Sequence, residues 1–127
     1  MSKHYLSIEQ MQTLIDKGLD CSNASHIYVD FNDQGDHEYE LMVNSKEVTM
    51  GAYKSIPCFD LQDIIEILPK KIKPFCGETY YLKIDKCNIY YESFLYGTNI
   101  CKIGNILIDI CYETLIELID RGYIKTK

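Results

Sequence analysis

The densest apolar run in the chain, residues 105–121, has the spacing of a helix. Asp109, Glu113, Glu117 and Asp120 recur every three or four positions, so they share one narrow stripe. Apolar side chains fill most of the remaining circumference, a wider arc than a helix lying on one sheet needs. We therefore expect this helix either to be a central strut or also to face a partner. The apolar positions are Ile106, Leu107, Ile108, Ile110, Cys111, Tyr112, Leu115, Ile116, Leu118 and Ile119.

Capping residues mark the ends of two predicted helices. Asn105 can cap the last helix, and Gly122 stands where a left-handed residue would close it. Ser7 and Gln10 match a capping box, which predicts that a first helix begins at Ser7. Gly18 is placed to end that first helix.

A second, shorter helix is predicted in the middle of the chain. Asp60 can cap its start, and Pro69 stops it because proline disfavours helical geometry in the residue before it. About two turns lie between these signals, so packing must stabilise the helix. Its expected buried stripe is Leu61, Ile64, Ile65 and Leu68.

Two hairpins are predicted from segments in which apolar and polar residues alternate. In the first hairpin, counting outward from the turn at residues 32–36 places Val29 opposite Tyr39 and Ile27 opposite Leu41. The same count pairs Phe31 with His37. In the second hairpin, the inner pairs are Ile84 with Ile89 and Leu82 with Tyr91, and the outer pairs are Lys83 with Tyr90 and Tyr81 with Glu92.

The connections between these segments are less regular. Lys86 and Cys87 form the centre of the second turn in this register, but the pair is a poor one for a two-residue turn. Asn88 could instead take the left-handed position of a three-residue loop. The remaining expectations are a short strand at residues 46–50, loops at 51–57 and 70–77, a break at Gly97 and a short edge segment at 100–103.

These elements predict one α+β domain spanning residues 1–127, a length that suits a single core. The two hairpins would form an antiparallel sheet of four to five strands. The first, second and last helices would cover one face of that sheet.

The charge balance changes which partners are expected. The formal net charge is −6, and the only basic cluster, Lys70, Lys71 and Lys73, is interpreted as a solvated loop. Direct binding of nucleic acid is therefore not expected, since phosphate contacts require clustered lysine and arginine. An acidic inhibitor of a nucleic-acid enzyme stays open as an alternative. The sequence contains neither a run of about 20 apolar residues nor a signal peptide, so no membrane partner and a cytoplasmic location are expected.

The cysteines and histidines do not form a recognisable site. The six cysteines are spaced singly, without a C-x-x-C pair, and the three histidines are dispersed. We expect reduced thiols, several of them in the core, with no metal ion and no cofactor. No nucleophile elbow or glycine-rich phosphate loop assigns a catalytic residue. A non-enzymatic protein is favoured, and a small enzyme or ligand-binding domain, with a pocket between helices and sheet, is the alternative.

Aromatic content is the least ordinary feature of the chain, with 11 tyrosines and no tryptophan. Tyrosine is favoured at interfaces because it combines a large contact area with a polar tip. An AT-rich coding sequence would also explain the enrichment. We predict a protein-interaction module, binding a protein partner or itself through the outer sheet face or the last helix. The candidate interface residues are Tyr28, Tyr81, Tyr90, Phe94, Tyr112 and Ile116.

Three stretches together resemble small uncharacterised proteins carried by phages and mobile elements of gut anaerobes. They are the tyrosine-rich hairpin and two helical patterns. The patterns are Phe59-x-Leu61-x-x-Ile64-Ile65-x-x-Leu68-Pro69, and Cys111-Tyr112-Glu113-x-Leu115 continuing to Gly122-Tyr123. The resemblance implies an accessory protein of unknown activity and assigns no functional residue.

Overall fold

A computed structural model describes residues 3–30, 39–51, 54–75 and 78–126, and the fold over these ranges is α+β. The described ranges contain four helices and seven strands. The helices are α1 (Ile8–Asp16), α2 (Lys46–Gly51), α3 (Leu61–Ile67) and α4 (Leu107–Asp120). The strands are β1 (His26–Asp30), β2 (Glu40–Val43), β3 (Lys54–Cys58), β4 (Lys71–Phe75), β5 (Glu78–Asp85), β6 (Asn88–Ser93) and β7 (Gly97–Ile103).

The elements divide into two compact units, each with its own antiparallel sheet. The N-terminal unit, His4–Asp63, contains a sheet with the order β2-β1-β3. The C-terminal unit, Ile64–Lys125 together with Lys3, contains a sheet with the order β4-β5-β6-β7. The expectation of one sheet built from both hairpins is therefore wrong, because each hairpin pairs with further strands of its own. The expectation of a single domain stays a prediction.

Helix α1 begins and ends as its capping residues predict. The Ser7 hydroxyl oxygen accepts from the Gln10 N–H at 3.1 Å, and the Gln10 side-chain oxygen accepts from the Ser7 N–H at 2.9 Å. At the other end, Gly18 has φ 90°, and the Leu19 N–H donates to the Leu14 carbonyl at 3.1 Å. Both capping predictions are confirmed.

The predicted register of the first hairpin is wrong by one residue. Ile27 lies opposite Met42 and Val29 opposite Glu40, so Leu41 and Val43 are exposed. The physical reason is that β1 is the central strand and β2 is an edge strand, whose apolar side chains do not have to face the core. The expected pair of Phe31 with His37 lies outside the described residues.

Residues 46–58 also differ from the expectation of a short strand followed by a loop. Residues 46–50 lie in helix α2, which Ser45 caps by accepting the Val48 N–H at 3.2 Å. The expected loop at 51–57 contains most of β3, which pairs with β1. Pro57 is tolerated there because β3 is at the edge of the sheet.

The cap of α3 is confirmed, since the Asp60 carboxylate accepts from the Asp63 N–H at 2.8 Å. In its expected stripe, Ile64 and Leu68 are buried, whereas Leu61 and Ile65 are half-buried.

The second hairpin has the predicted register. Ile84 lies opposite Ile89, and Leu82 lies opposite Tyr91. The turn is the two-residue alternative, with Lys86 at φ 37° taking the left-handed position. The expected loop at 70–77 is wrong because residues 71–75 form β4, an edge strand that tolerates Pro74.

Two details at the end of the chain correct the prediction. Strand β7 begins at Gly97, with φ 78°, and is longer than the expected segment at 100–103. The N-cap of α4 is Ile106 and not Asn105; the Ile106 carbonyl accepts from the Ile110 N–H at 3.2 Å. The end of α4 is as predicted, with Gly122 at φ 83°.

Helix α4 buries one broad side, as its pattern predicts, and leaves its acidic stripe at the surface. Within the described ranges, no helix combines the length and the apolarity needed to span a lipid bilayer. The buried positions of α4 are Ile108, Ile110, Cys111, Thr114, Leu115 and Leu118.

Candidate interaction surface

The candidate interface residues are not all in one unit. Tyr28 lies on β1 of the N-terminal unit, half-buried, and its hydroxyl donates to the Leu6 carbonyl at 2.6 Å. Burial raises the pKa of Tyr28 well above the ordinary value of a phenol. Its polar tip is therefore already engaged by the backbone of its own unit.

Tyr81 and Tyr90 lie on the outer face of the C-terminal sheet, as predicted. The outer pairs are Tyr81 with Glu92 and Lys83 with Tyr90. Tyr81 is exposed and Tyr90 is half-buried, whereas Tyr91 on the opposite face is fully buried. The outer face therefore offers two neighbouring phenol rings within a mixed-charge surface.

Phe94 lies in the turn between β6 and β7, where it is one of three consecutive exposed apolar residues. Phe94 is 100% exposed, Leu95 71% and Tyr96 66%. Sequence reasoning selected Phe94 and missed Leu95 and Tyr96. We call these three residues the apolar tip. Single exposed apolar side chains are common, whereas adjacent ones that form a contiguous patch are candidates for a contact surface.

Ser93 fixes the backbone of the apolar tip. This residue is buried, and its hydroxyl oxygen accepts from the Leu95 N–H and the Tyr96 N–H, each at 3.2 Å. The same hydroxyl donates to a Glu78 carboxylate oxygen. Because the turn is already ordered, a partner that binds it has less conformational entropy to remove.

Tyr112 and Ile116 line an open groove beside α4, here called the α4 groove. Its volume is about 480 Å³, and Lys102 of β7 lies across it from the helix. The Lys102 ammonium contacts the Glu117 carboxylate at 2.7 Å, and the Arg121 guanidinium contacts the same carboxylate at 2.9 Å. The remaining lining residues are Glu113 and Asp120.

The acidic stripe of α4 is partly neutralised within its own unit. Besides the two cations at Glu117, the Lys3 ammonium contacts Asp109 at 2.8 Å. A surface that imitated a nucleic-acid backbone would keep its carboxylates available to a basic partner. The stripe therefore gives little support to the acidic-inhibitor alternative.

A smaller groove lies where β7 leads into α4, and we call it the β7–α4 groove. Its volume is about 200 Å³, and its apolar rim includes Ile103, which is 72% exposed, and Ile106. Gly104 also lines this groove, and a Cβ atom there would lie 2.6 Å from Ile110 Cγ2. Gly104 therefore permits the close approach of the connection to α4.

Replacing Gly104 with alanine is expected to destabilise the protein by about 1–3 kcal/mol, because buried, β-branched Ile110 has little freedom to move away. Urea unfolding of the two proteins gives the difference in the free energy of unfolding. Thr98→Ala, at an exposed position of β7, is the control and should change it by less than about 0.5 kcal/mol. Equal effects of the two substitutions would contradict the expected steric clash.

Ser25, His26 and Asp63 meet in the N-terminal unit, but their hydrogen bonds do not have the arrangement of a catalytic triad. The Ser25 hydroxyl donates to Asp63 Oδ2 at 2.7 Å and lies 2.8 Å from His26 Nδ1. Since the carboxylate is the stronger acceptor of the hydroxyl proton, His26 Nδ1 takes the donor role. The imidazole is then not placed to accept the proton of Ser25, as a nucleophilic serine would require.

No observation favours any of the described cysteines as a catalytic nucleophile. The five described cysteines form no disulfide with one another, and Cys76 lies outside the described residues, so the expectation of reduced thiols stays a prediction. Burial raises the pKa of Cys58 and of Cys111 to about 11, so both thiols are protonated near neutral pH. Across the described ranges, no group of three or more His, Cys, Asp or Glu residues is placed to hold a metal ion.

Comparisons of the chain with protein-family models, curated proteins and solved structures found no match. The resemblance to proteins of phages and mobile elements therefore stays a prediction.

Proposed function

We propose that the chain is a non-enzymatic protein-interaction module and that the apolar tip is its primary contact surface. The observation that carries this proposal is the combination of three exposed apolar side chains with a turn that Ser93 holds in place. Solvation of such a surface is unfavourable, and an ordered turn presents it in one arrangement.

The free energy gained by burying the apolar tip alone is too small for a stable complex. Full burial of one large apolar side chain contributes about 1.5–3 kcal/mol. Three of them supply roughly the free energy that association itself costs, about 4 kcal/mol or more. A stable complex therefore requires the tip together with adjoining surface, such as the outer sheet face.

The enzymatic alternative has weaker support. Burial raises the pKa of Cys58 and of Cys111, which keeps both thiols protonated. The Ser25 hydroxyl donates its proton to the Asp63 carboxylate. Neither arrangement activates a nucleophile.

Affinity capture tests the proposed function. The full chain is used as bait in a lysate of the organism that encodes it, and the wild type is compared with Phe94→Ser. Loss of this side chain is expected to lower the amount of the specific partner that is captured at least tenfold. A tenfold change corresponds to about 1.4 kcal/mol of binding free energy. The partner can be another protein or the chain itself.

Met50→Ser is the matched control, because Met50 is also apolar and is 84% exposed on α2. It should capture as much partner as the wild type. Circular dichroism verifies that each bait is folded. If no bait retains a specific partner, or if all retain the same amount, the apolar tip is not the contact surface.

A further inference from the structure

We infer that the outer face of the C-terminal sheet binds single-stranded nucleic acid. Two bases stack on Tyr81 and Tyr90, and the adjoining phosphates contact Lys71 and Lys83. We call these four residues the Lys–Tyr cluster. The ligand is additional to the protein partner proposed above, and its site does not include the apolar tip.

Strand pairing assembles the Lys–Tyr cluster from three strands. Lys71 of β4 lies directly opposite Tyr81 of β5, and Lys83 of β5 lies directly opposite Tyr90 of β6. Directly opposed residues share a face of the sheet. The two tyrosines are diagonal neighbours and so are the two lysines, with Cα atoms about 7–8 Å apart in each case. The face therefore presents two adjacent phenol rings, each with a lysine on the side toward β4.

The cluster is open to solvent and its cations are unpaired. Tyr81 is 54% exposed, Lys71 and Lys83 are exposed, and Tyr90 is half-buried. Within the described part of the chain, no carboxylate forms an ion pair with either lysine. Neighbouring ammonium groups repel each other, and an anion placed between them removes that repulsion. Rings and cations together fit a ligand that has both flat aromatic groups and negative charge.

The basic surface is larger in the structure than the sequence indicates. The lysines at positions 70, 71 and 73 do not form a separate loop, because residues 71–75 form β4 and pair with β5. This pairing places Lys83 next to them, and all four lysines are exposed. Clustered cations of this kind are what phosphate contacts require.

Most of the negative charge lies elsewhere. The formal net charge of −6 belongs to the whole chain. The acidic stripe of α4 is on the inner side of the sheet, since Lys102 on the inner face of β7 contacts Glu117 at 2.7 Å. On the outer face, the described strands carry two carboxylates, Asp85 next to a turn and Glu92 on the side of Tyr81 away from β4. The phosphates are therefore placed on the β4 side, with the bases over the tyrosines.

The arrangement favours a single strand over a duplex. In a duplex the faces of the bases are stacked on each other, whereas a single strand can turn its bases onto aromatic side chains. Every base has a π-face, so two tyrosines with two lysines provide binding that tolerates different sequences. Neighbouring bases of one strand can occupy the two diagonal rings at the same time.

Fluorescence anisotropy of labelled oligonucleotides tests this site in the full chain. The probes are oligothymidylate, oligouridylate and the duplex of oligothymidylate with oligoadenylate. At low ionic strength, a single strand is expected to bind about tenfold more tightly than the duplex. The tighter of the two single strands identifies DNA or RNA as the ligand.

Substitutions of the tyrosines test stacking. Tyr81→Ala and Tyr90→Ala should each weaken binding of the single strand about tenfold, because one stacked base loses its ring. Tyr81→Phe keeps the ring and should bind as the wild type does. Phe94→Ser in the apolar tip and Lys46→Gln at an exposed position of α2 are controls and should leave binding nearly unchanged. Circular dichroism verifies that the variants are folded.

Salt dependence tests the charged residues. With two phosphates contacted, the logarithm of the binding constant should fall against the logarithm of the salt concentration with a slope of about −1.4. Lys71→Gln should reduce the steepness of this slope by about 0.7. Glu92→Gln should instead tighten binding, because it removes a carboxylate next to Tyr81 that repels phosphate.

The outcomes decide the inference without reference to the apolar tip. Preferential binding of a single strand that depends on Tyr81, Tyr90 and Lys71 would support it. Absence of binding at low ionic strength, equal affinity for the duplex, or full binding by both alanine variants would overturn it. Phe94→Ser separates the two proposals, because it should reduce capture of the protein partner and leave binding of the oligonucleotide unchanged.

Discussion

Tyr91→Ala is expected to destabilise the protein by about 3–5 kcal/mol, the range for removing a buried aromatic side chain. Tyr91 is fully buried on the inner face of β6, and its hydroxyl donates to the Pro69 carbonyl at 2.7 Å. The substitution removes the largest of the fully buried side chains in the described residues and one hydrogen bond. Since natural domains are stable by only about 5–15 kcal/mol, this loss should be visible in urea unfolding.

Tyr91→Phe separates the contribution of the buried ring from that of the hydrogen bond, because it keeps the ring and removes only the hydroxyl. Its expected cost is about 1 kcal/mol, the net value of one hydrogen bond. Tyr81→Ala is the exposed comparison and should change the free energy of unfolding by less than about 0.5 kcal/mol. A cost for Tyr91→Ala no larger than that for Tyr81→Ala would contradict the assigned packing.

Asp63→Asn is expected to destabilise the protein by about 2 kcal/mol and to change how its stability depends on pH. Asp63 Oδ2 accepts hydrogen bonds from the Ser25 N–H, the Ser25 hydroxyl and the Asp60 N–H, at 3.0, 2.7 and 3.1 Å. The asparagine amide carries no charge, so its oxygen cannot replace these charge-assisted bonds at full strength.

The pH dependence follows from the direction of the pKa shift. Burial raises the pKa of Asp63, but the hydrogen bonds from Ser25 and Asp60 outweigh burial, and the net pKa is below the ordinary value. The ionised carboxylate therefore contributes its stability in full above the unfolded-state pKa of about 3.9, and loses it as pH falls through the lower folded-state pKa.

Urea unfolding between neutral and acidic pH measures this effect. The difference in the free energy of unfolding between the wild type and Asp63→Asn should be largest near neutral pH and should become smaller below about pH 4. Glu47→Gln, which alters an exposed carboxyl of α2, is the control and should follow the wild type closely. A constant gap across this range would show that the charge of Asp63 does not act through these hydrogen bonds.

Helix ends were the most predictable part of the fold, because capping depends on residues within a few positions of each other. The capping box of Ser7 and Gln10, the cap at Asp60 and the left-handed Gly18 and Gly122 all follow this rule. Asn105 did not cap α4, because the turn into the helix occurs one residue later, at Ile106. A suitable residue type alone does not determine where the backbone turns.

Strand registers were predictable only where burial and a short turn agreed. In the second hairpin, Ile89 and Tyr91 are buried and the turn has two residues, so alternation determines the pairing. In the first hairpin, Leu41 and Val43 alternate but lie exposed on an edge strand. Their pattern contained no information about the core.

Strands β3 and β4 were missed because Pro57 and Pro74 indicate loops when they are considered locally. Both prolines lie in edge strands, where one side of the backbone needs no partner in the sheet. Edge positions depend on the order of strands in the sheet, which short-range sequence patterns do not determine.

The outward positions of Tyr81 and Tyr90 were predictable from the register, but the apolar tip was not recognised. Three consecutive apolar residues have no alternation that distinguishes a turn from the end of a strand. A local signal was present, since Ser93 and Gly97 flank the tip, and serine can accept backbone N–H groups two or three residues later. That signal predicts a turn and does not predict that the three side chains are exposed.

Photocrosslinking from the apolar tip tests most directly whether the tip is a contact surface. A photoreactive amino acid is placed at position 95 of the full chain and, for comparison, at position 50, where the native methionine is also exposed. The proposed function predicts a discrete crosslinked species from position 95, with a second copy or another protein, and none from position 50. Absence of a crosslink from position 95, or identical products from both positions, would contradict it.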